Sequence, residues 1–233
     1  MLVHREHDRV TKWIFDNWLF PFSDSPNIAF AMCMARHFNW PDTLEAVGFP
    51  HTWDPERIRS ILKHRRLVEK KKVYTSAYTI STGGLSIDKI DYSIDHVLTP
   101  LYGALRVATI HDTLHSYWVE LQSHTGFASF MAGQVVADLK FIPPLNSAPD
   151  WQSWAPLGPG SIRGLNRYHH RQIKRTIQQE KGLAELQDIQ KVIRNRLGVE
   201  LALHNVQNCL CEFDKYIRLK YENGRVRAKY NGL

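Results

Sequence analysis

The sequence predicts a mainly α-helical protein in which residues 1–233 form a single domain, with at most a short β element near 73–81. Apolar side chains recur at helical spacing along most of the chain, whereas the pattern of a strand occurs in one stretch. With 233 residues, 43% of them hydrophobic and 23% charged, the chain has an ordinary globular composition and enough length to bury a core.

Predicted helices account for most of the chain, and local signals place several of their ends. The apolar spacing predicts helices over 6–19, 27–38, 55–67, 86–122, 126–140, 171–197 and 199–221. Pro21 ends the first of them. Asp54 followed by Pro55 is a typical helix start, and Pro100 predicts a break within the fourth helix.

Two segments depart from the helical pattern. Residues 73–80 are rich in β-branched and aromatic side chains and predict a strand, which Gly83 and Gly84 close. Residues 143–164 form a loop rich in proline, glycine and tryptophan. A loop of about twenty residues inside a compact domain tends to be functional, and its tryptophans indicate order rather than disorder.

The last predicted helix carries two distinct stripes of side chains. One stripe is apolar and consists of Val199, Leu203, Val206, Leu210, Phe213 and Ile217. The neighbouring stripe is polar and consists of His204, Gln207, Asn208, Cys211, Asp214, Lys215 and Arg218. Solvated helix faces are mostly lysine and glutamate, whereas this stripe mixes amide, acid, base and thiol groups. It therefore predicts one wall of a polar site.

A carboxylate on an apolar helix face is the second anomaly. Asp138 shares a face with Phe130, Met131 and Gln134 in the helix predicted over 126–140. Burying an unpaired carboxylate is costly, so this side chain needs a partner or a chemical task. Capping of a helix or pairing with an arginine is one interpretation, and a catalytic role is the other.

The glycine-rich segment 158–164 is a candidate anion site. Its backbone amides can approach a phosphate closely, and Arg163 can make a bidentate contact, with Asn166 nearby. The segment is neither a Walker A loop nor a Rossmann fingerprint, because it has no Gly-Lys-Ser/Thr and no surrounding βαβ pattern. A rigid turn between helices is the alternative interpretation.

Charge and cysteine content indicate the kind of partner and the cellular compartment of the protein. The formal net charge is +7, which favours a polyanionic partner such as DNA. Three cysteines without a disulfide or zinc pattern favour a reducing compartment, and no apolar run suits a secretion signal or a membrane span. We therefore predict a cytoplasmic protein that does not bind a membrane.

Five motifs, in order along the chain, resemble those of a known family. They are His4 to Thr11, Ala77 to Ile80, Gly126 to Lys140, Gly158 to Asn166 and Gln207 to Tyr216. The chain resembles the alpha-glutamyl/putrescinyl thymine pyrophosphorylases, also named amino acid:DNA transferases. A related helical domain accompanies the hydroxymethyluracil DNA kinases of phages.

The resemblance implies a role in thymine hypermodification of phage DNA. In that chemistry hydroxymethyluracil is converted to a pyrophosphate ester, and the transferase replaces pyrophosphate with an amino acid or amine. The implied partners are double-stranded DNA containing modified uracil, a free amino acid or amine, and a hydroxymethyluracil DNA kinase. The implied fold is similar to helical DNA glycosylases, in which residues 126–138 would correspond to a helix-hairpin-helix-like element followed by an acid.

This chemistry assigns roles to the candidate residues. We predict Asp138 as the general base, Asp214 as the organiser of phosphate-binding cations, and Lys140 as a neutraliser of the leaving phosphates. We predict that substrate and DNA are bound by Gln134, Gly158, Gly160, Ser161, Arg163, Asn166, Gln207, Asn208, Lys215, Arg218, Arg5 and Arg9. No dedicated metal site is predicted, although Mg²⁺ is a reasonable companion of pyrophosphate.

Two other functions remain compatible with the sequence. A non-catalytic DNA-binding module that serves a separate kinase would also be basic and helical. A glycosylase-like enzyme that excises modified uracil rests on fold analogy.

Overall fold

The computed structural model describes residues 3–77, 79–106 and 111–224, and within them the protein is helical with no β-strand. The α-helices are α1 (Arg9–Ile14), α2 (Ile28–Phe38), α3 (Pro41–Val47), α4 (Pro55–Leu67), α5 (Lys89–Tyr92), α6 (Thr99–Leu105), α7 (Leu114–Gln122), α8 (Ser129–Leu139), α9 (Pro159–Tyr168), α10 (Gln179–Leu197) and α11 (Leu203–Tyr221). The predicted mainly α-helical class is confirmed. Short 3₁₀ turns occur at Arg5–His7 and Leu145–Ser147, and π turns at Phe15–Leu19 and Ser93–Leu98.

In the part of the chain that the structure describes, the core consists of two hydrophobic clusters. The larger one is built on the buried helix α2 and on α8, which packs against it. The smaller one joins α9, α10 and α11 through side chains such as Leu165, Leu186 and Val206. The segment before α1 contacts both α8 and α11 and so lies where the clusters meet.

The strand predicted near 73–81 does not form in the part of that segment that the structure describes. Tyr78 lies outside the described residues. The Thr75 N–H donates to the Phe38 carbonyl at the end of α2, not to a partner strand. Tyr74 instead packs as a single side chain and hydrogen-bonds through its hydroxyl to Ser93. A β-rich stretch without a second stretch to pair with has no ladder to join.

Pro100 does not break the helical segment, contrary to the sequence prediction. It stands in the first turn of α6, where the missing N–H costs least, and a π turn precedes it directly. The helical run instead ends after Leu105, and residues 107–110 lie outside the described part of the chain.

The segment 158–168 was predicted as a loop up to Gly164, yet it forms α9. Its glycines allow close helix packing: a Cβ on Gly160 would lie 3.0 Å from Cys211 Sγ, and one on Gly164 would collide with the Leu210 carbonyl. Conversely, α10 begins at Gln179 rather than near residue 171. None of the described helices is long and apolar enough to cross a membrane.

Candidate functional site

A cleft opens where the N-terminal segment, α8, the start of α9 and α11 meet. It is a narrow, half-open space, and we call it the Arg5 cleft. Among its lining residues are Arg5, Phe130, Gln134, Gly158, His204 and Gln207. Four of the five sequence motifs therefore contribute to one concave, largely polar surface.

Arg5 is fixed in this cleft by contacts to two different helices. Its Nη2 donates to the Gln134 carbonyl at 3.2 Å and to Asp138 Oδ1 at 3.3 Å on α8. Its backbone N–H donates to Asn205 Oδ1 on α11 at 3.3 Å. Its side chain is 12% exposed, so the guanidinium is held largely away from water.

Asp138 lies beneath the cleft in a buried ion pair. Arg36 donates from Nε to Oδ2 at 2.5 Å and from Nη2 to Oδ1 at 2.6 Å, and the two side chains are 1% and 0% exposed. Asp138 is not among the residues that line the cleft. Because Arg36 and Arg5 engage both oxygens, the geometry favours a positioning role for Asp138 over the general-base role predicted from sequence.

Lys140 lines a narrow adjoining recess, which we call the Lys140 recess. Arg5, Glu6 and His204 also line it. The Lys140 ammonium lies 3.8 Å from the centre of the Trp151 ring, and the residue is buried. Burial lowers the pKa of Lys140 to about 8; nearby Glu6 opposes this effect and Arg5 adds to it. A cation held in this way attracts anionic groups that enter the recess.

His204 lies between the Arg5 cleft and the Lys140 recess and lines both. It is 3% exposed, and the Trp154 ring contacts it edge-on at a centroid distance of 5.7 Å. Burial, and then the charges of Lys140 and Arg5, place the pKa of His204 well below its ordinary range. The imidazole is therefore neutral at physiological pH.

The glycine-rich segment contributes less to the cleft than the sequence suggested. Gly158 lines it and caps α9 by exchanging hydrogen bonds with the buried Ser161 hydroxyl, both at 3.0 Å. Gln207 donates to the same hydroxyl at 3.3 Å. Gly160 packs against Cys211 and does not line the cleft.

A second basic site lies farther along α11. Asp214 accepts hydrogen bonds from Arg163 Nε at 2.8 Å, Arg167 Nε at 2.9 Å and Arg218 Nε at 3.1 Å. Burial acts to raise the pKa of Asp214, but these three arginines outweigh it and hold that pKa below the ordinary value. Ten residues of helix separate His204 from Asp214, which corresponds to about 15 Å along the axis.

Arg163 and Arg218 remain 34% and 36% exposed while their Nε atoms bind Asp214. Three guanidinium groups around one carboxylate leave an excess of positive charge, which Glu222 reduces through its pair with Arg167. The organisation of phosphate-binding cations by Asp214 stays a prediction, and the three arginines bound to it are the cations concerned. We call Arg163, Arg167, Asp214 and Arg218 the arginine cluster.

Four predicted residues lie outside both sites. Asn166 is buried and donates to the Ile173 and Arg175 carbonyls, which fixes the turn after α9. Asn208 contacts the Val3 carbonyl at 3.5 Å and thereby holds the N-terminal segment. Lys215 pairs with Glu212 at the surface. Arg9 borders a separate surface groove with Trp13 and Trp40.

Two residues that shape the site were absent from the sequence predictions of site residues. Arg36 follows the apolar run 28–35, and a charged residue at the end of so apolar a helix was an available signal. His204 stood in the polar stripe of α11, but nothing in the sequence showed that it would be buried. Within the described residues, no group of three or more histidine, cysteine, aspartate or glutamate side chains is placed to hold a metal ion.

A comparison with known protein families shows to which family the chain belongs. Residues 3–225 match the family described as 5-hmdU DNA kinase, helical domain. The chain belongs to this family. No curated protein matches the sequence, and no solved structure matches the fold. Membership in the kinase-associated helical family places the protein in the context of hydroxymethyluracil in DNA, while the predicted likeness to glycosylases stays a prediction.

Proposed function

We propose that this protein transfers an amino acid or amine onto pyrophosphorylated 5-hydroxymethyluracil in DNA and releases pyrophosphate. One structural observation carries the proposal: residues from four separated motifs converge on the Arg5 cleft. In addition, the matched family is named for a kinase of the same modified base. The five-motif resemblance to amino acid:DNA transferases supplies the reaction type.

The chemistry requires positive charge near the leaving pyrophosphate, and two cations support this. Arg5 lines both the Arg5 cleft and the Lys140 recess, and Lys140 lines the recess, in surroundings that are largely closed to water. Fixed positive charge in such a site stabilises the negative charge that develops on the leaving group.

The base must also leave the duplex to reach such a cleft. Enzymes that act on a base extrude it into a pocket and bind its hydrogen-bonding edge. Gln134 and Gln207 line the Arg5 cleft and suit the uracil edge, and the Phe130 ring offers an apolar contact. The arginine cluster, about 15 Å away along α11, would hold the phosphate backbone.

The direct test is to incubate the protein with DNA that carries the pyrophosphate ester and with labelled amino acids or polyamines. Nucleosides from the digested DNA are then analysed by mass spectrometry. We expect a new adduct on the C5 methylene group together with released pyrophosphate. If none of the twenty amino acids and common polyamines gives an adduct, the proposal is wrong.

A DNA-binding module that assists a kinase is the second candidate, because the matched family is a helical domain of a kinase. In that case the protein should bind hydroxymethyluracil DNA and increase the rate of a hydroxymethyluracil DNA kinase without forming any adduct. Measuring phosphorylation with and without the protein, beside the adduct assay, separates the two candidates.

A further inference from the structure

His204 combines deep burial with unsatisfied hydrogen-bonding groups. Neither ring nitrogen makes a hydrogen bond of ordinary geometry within the described residues, although the Trp154 backbone lies near enough to favour the protonated ring slightly. An unsatisfied buried polar group costs stability, so such groups are rare and often functional. The buried His37, by contrast, bonds through Nε2 to Ser93 Oγ at 2.9 Å.

His204 lies where two adjoining spaces meet. The ring is shared by the Arg5 cleft and the Lys140 recess, so a ligand that spans both must pass it. The charged side chains that line these two spaces with it are Arg5, Lys140 and Glu6. Burial and the two cations hold the pKa of His204 low, so the neutral imidazole becomes able to accept a proton when a bound anion offsets those cations.

We propose that His204 accepts the proton of the incoming amine during the transfer. This inference rests on the proposed function and adds the residue that performs its proton transfer. Asp138 is bound by arginines, and Lys140 is a cation at neutral pH, so neither suits this task as well.

The step balances in atoms and charge. The nitrogen lone pair of the amine forms a bond to the C5 methylene carbon while the carbon–oxygen bond to pyrophosphate breaks. The electrons of that bond leave with pyrophosphate. One proton moves from the amine nitrogen to a ring nitrogen of His204 and passes to water when the products depart.

The charges around His204 determine when its ring can accept the proton. In the empty site burial disfavours the imidazolium, and Lys140 and Arg5 disfavour it further. A bound pyrophosphate group offsets those two positive charges and raises the basicity of the ring. The base therefore strengthens when the reacting anion is in place.

The kinetic test compares His204→Asn with His115→Asn in the transfer reaction. His115 is exposed and also packs against Trp154, at a centroid distance of 5.8 Å, so it is a matched control. We expect His204→Asn to lower kcat by ~100-fold, in line with the loss of a general base. DNA affinity should persist, and the remaining rate should climb with pH because hydroxide replaces the base. The control should match the wild type.

The spectroscopic test does not depend on turnover. In ¹⁵N-histidine NMR, inorganic pyrophosphate should raise the pKa of His204 by at least one unit while the His37 signal stays unchanged. If His204→Asn does not fold, this titration alone decides. An unmoved His204 signal, or a His204→Asn variant as fast as the wild type, would overturn the assignment while the transferase function stands. A wild type that forms no adduct would refute both.

Discussion

At the scale of single residues, the site depends on one buried carboxylate. Asp138 neutralises Arg36 and fixes Arg5, so one side chain connects α2, α8 and the N-terminal segment. Replacing a member of such a pair leaves the other charge buried without a partner, which is far more costly than replacing both.

We predict that Asp138→Asn lowers the free energy of unfolding by ~3–5 kcal/mol. Asp91→Asn is the matched control, since Asp91 pairs with Arg59 and Lys63 at the surface and such pairs contribute about 1 kcal/mol or less. Urea denaturation measures both values. An Asp138→Asn variant as stable as the control but without transfer activity would restore Asp138 as a catalytic candidate.

Lys140, in contrast to Asp138, lowers the stability of the fold at neutral pH and serves the proposed binding of pyrophosphate. Its pKa in the folded protein, about 8, lies below the ordinary value of 10.5, so the fold disfavours the charged form at pH 7. Stability from this group is therefore gained as pH rises from about 8 to 10.5.

Lys140→Met should consequently raise the free energy of unfolding at pH 7, by ~1–2 kcal/mol after the loss of the Trp151 contact is included. The difference from the wild type should shrink between pH 8 and 10.5, and binding of pyrophosphate should weaken. Denaturation across this pH range and calorimetry with pyrophosphate provide the measurements. A constant difference across the range would show that the lysine charge is not the cause.

At the scale of elements, the contact between α9 and α11 depends on glycine. A Cβ on Gly164 would collide with the Leu210 backbone, whereas a Cβ on Gly103 in α6 would meet nothing within 4 Å. We predict that Gly164→Ala destabilises the protein by ~2 kcal/mol or more through overpacking. Gly103→Ala should be neutral or stabilising by up to ~1 kcal/mol because alanine favours a helix. Thermal unfolding of the two variants makes the comparison, and equal melting temperatures would refute it.

The sequence predicted elements best where local signals and tertiary packing agree. Asp54 does accept a hydrogen bond from the Arg57 N–H and begins α4 at Pro55, as its side chain and the following proline predicted. α11 was likewise predicted from its apolar spacing. α9 was missed because glycine and proline signal a loop locally, whereas here they serve a close helix contact that depends on a distant partner.

The candidate site was predictable only in part, because motifs are local signals whereas burial and pairing depend on residues far away in the sequence. Gln134, Gly158, Gln207 and Arg5 were recognised through motifs, and the structure brings them to one cleft. Pairing of Asp138 with an arginine was one of the interpretations of the sequence, but the identity of that arginine was not predictable, because Arg36 lies 102 positions away in the sequence. Burial of His204 depends on Trp154 and the N-terminal segment, which no local pattern reports.

At the scale of the whole molecule, the net charge of +7 and the arginine cluster together favour DNA binding. We predict that Arg163→Gln with Arg218→Gln reduces the slope of log affinity against log salt by about 2, because two phosphate contacts are lost. Lys191→Gln with Arg194→Gln removes the same charge from paired residues on α10 and is the control. Fluorescence anisotropy over a salt series measures the slopes. Equal slopes for the two double variants would exclude the arginine cluster as a site that binds DNA phosphates.

The hydrogen bond between Arg5 and Asn205 joins residues 200 positions apart. During synthesis the helices around α2 and α8 can assemble before α11 has left the ribosome, but the Arg5 cleft cannot. Closing so long a loop is entropically unfavourable until the distant contacts form. A nascent chain therefore has the core around α2 and α8 well before it has the Arg5 cleft, which forms only after α11 has been synthesised.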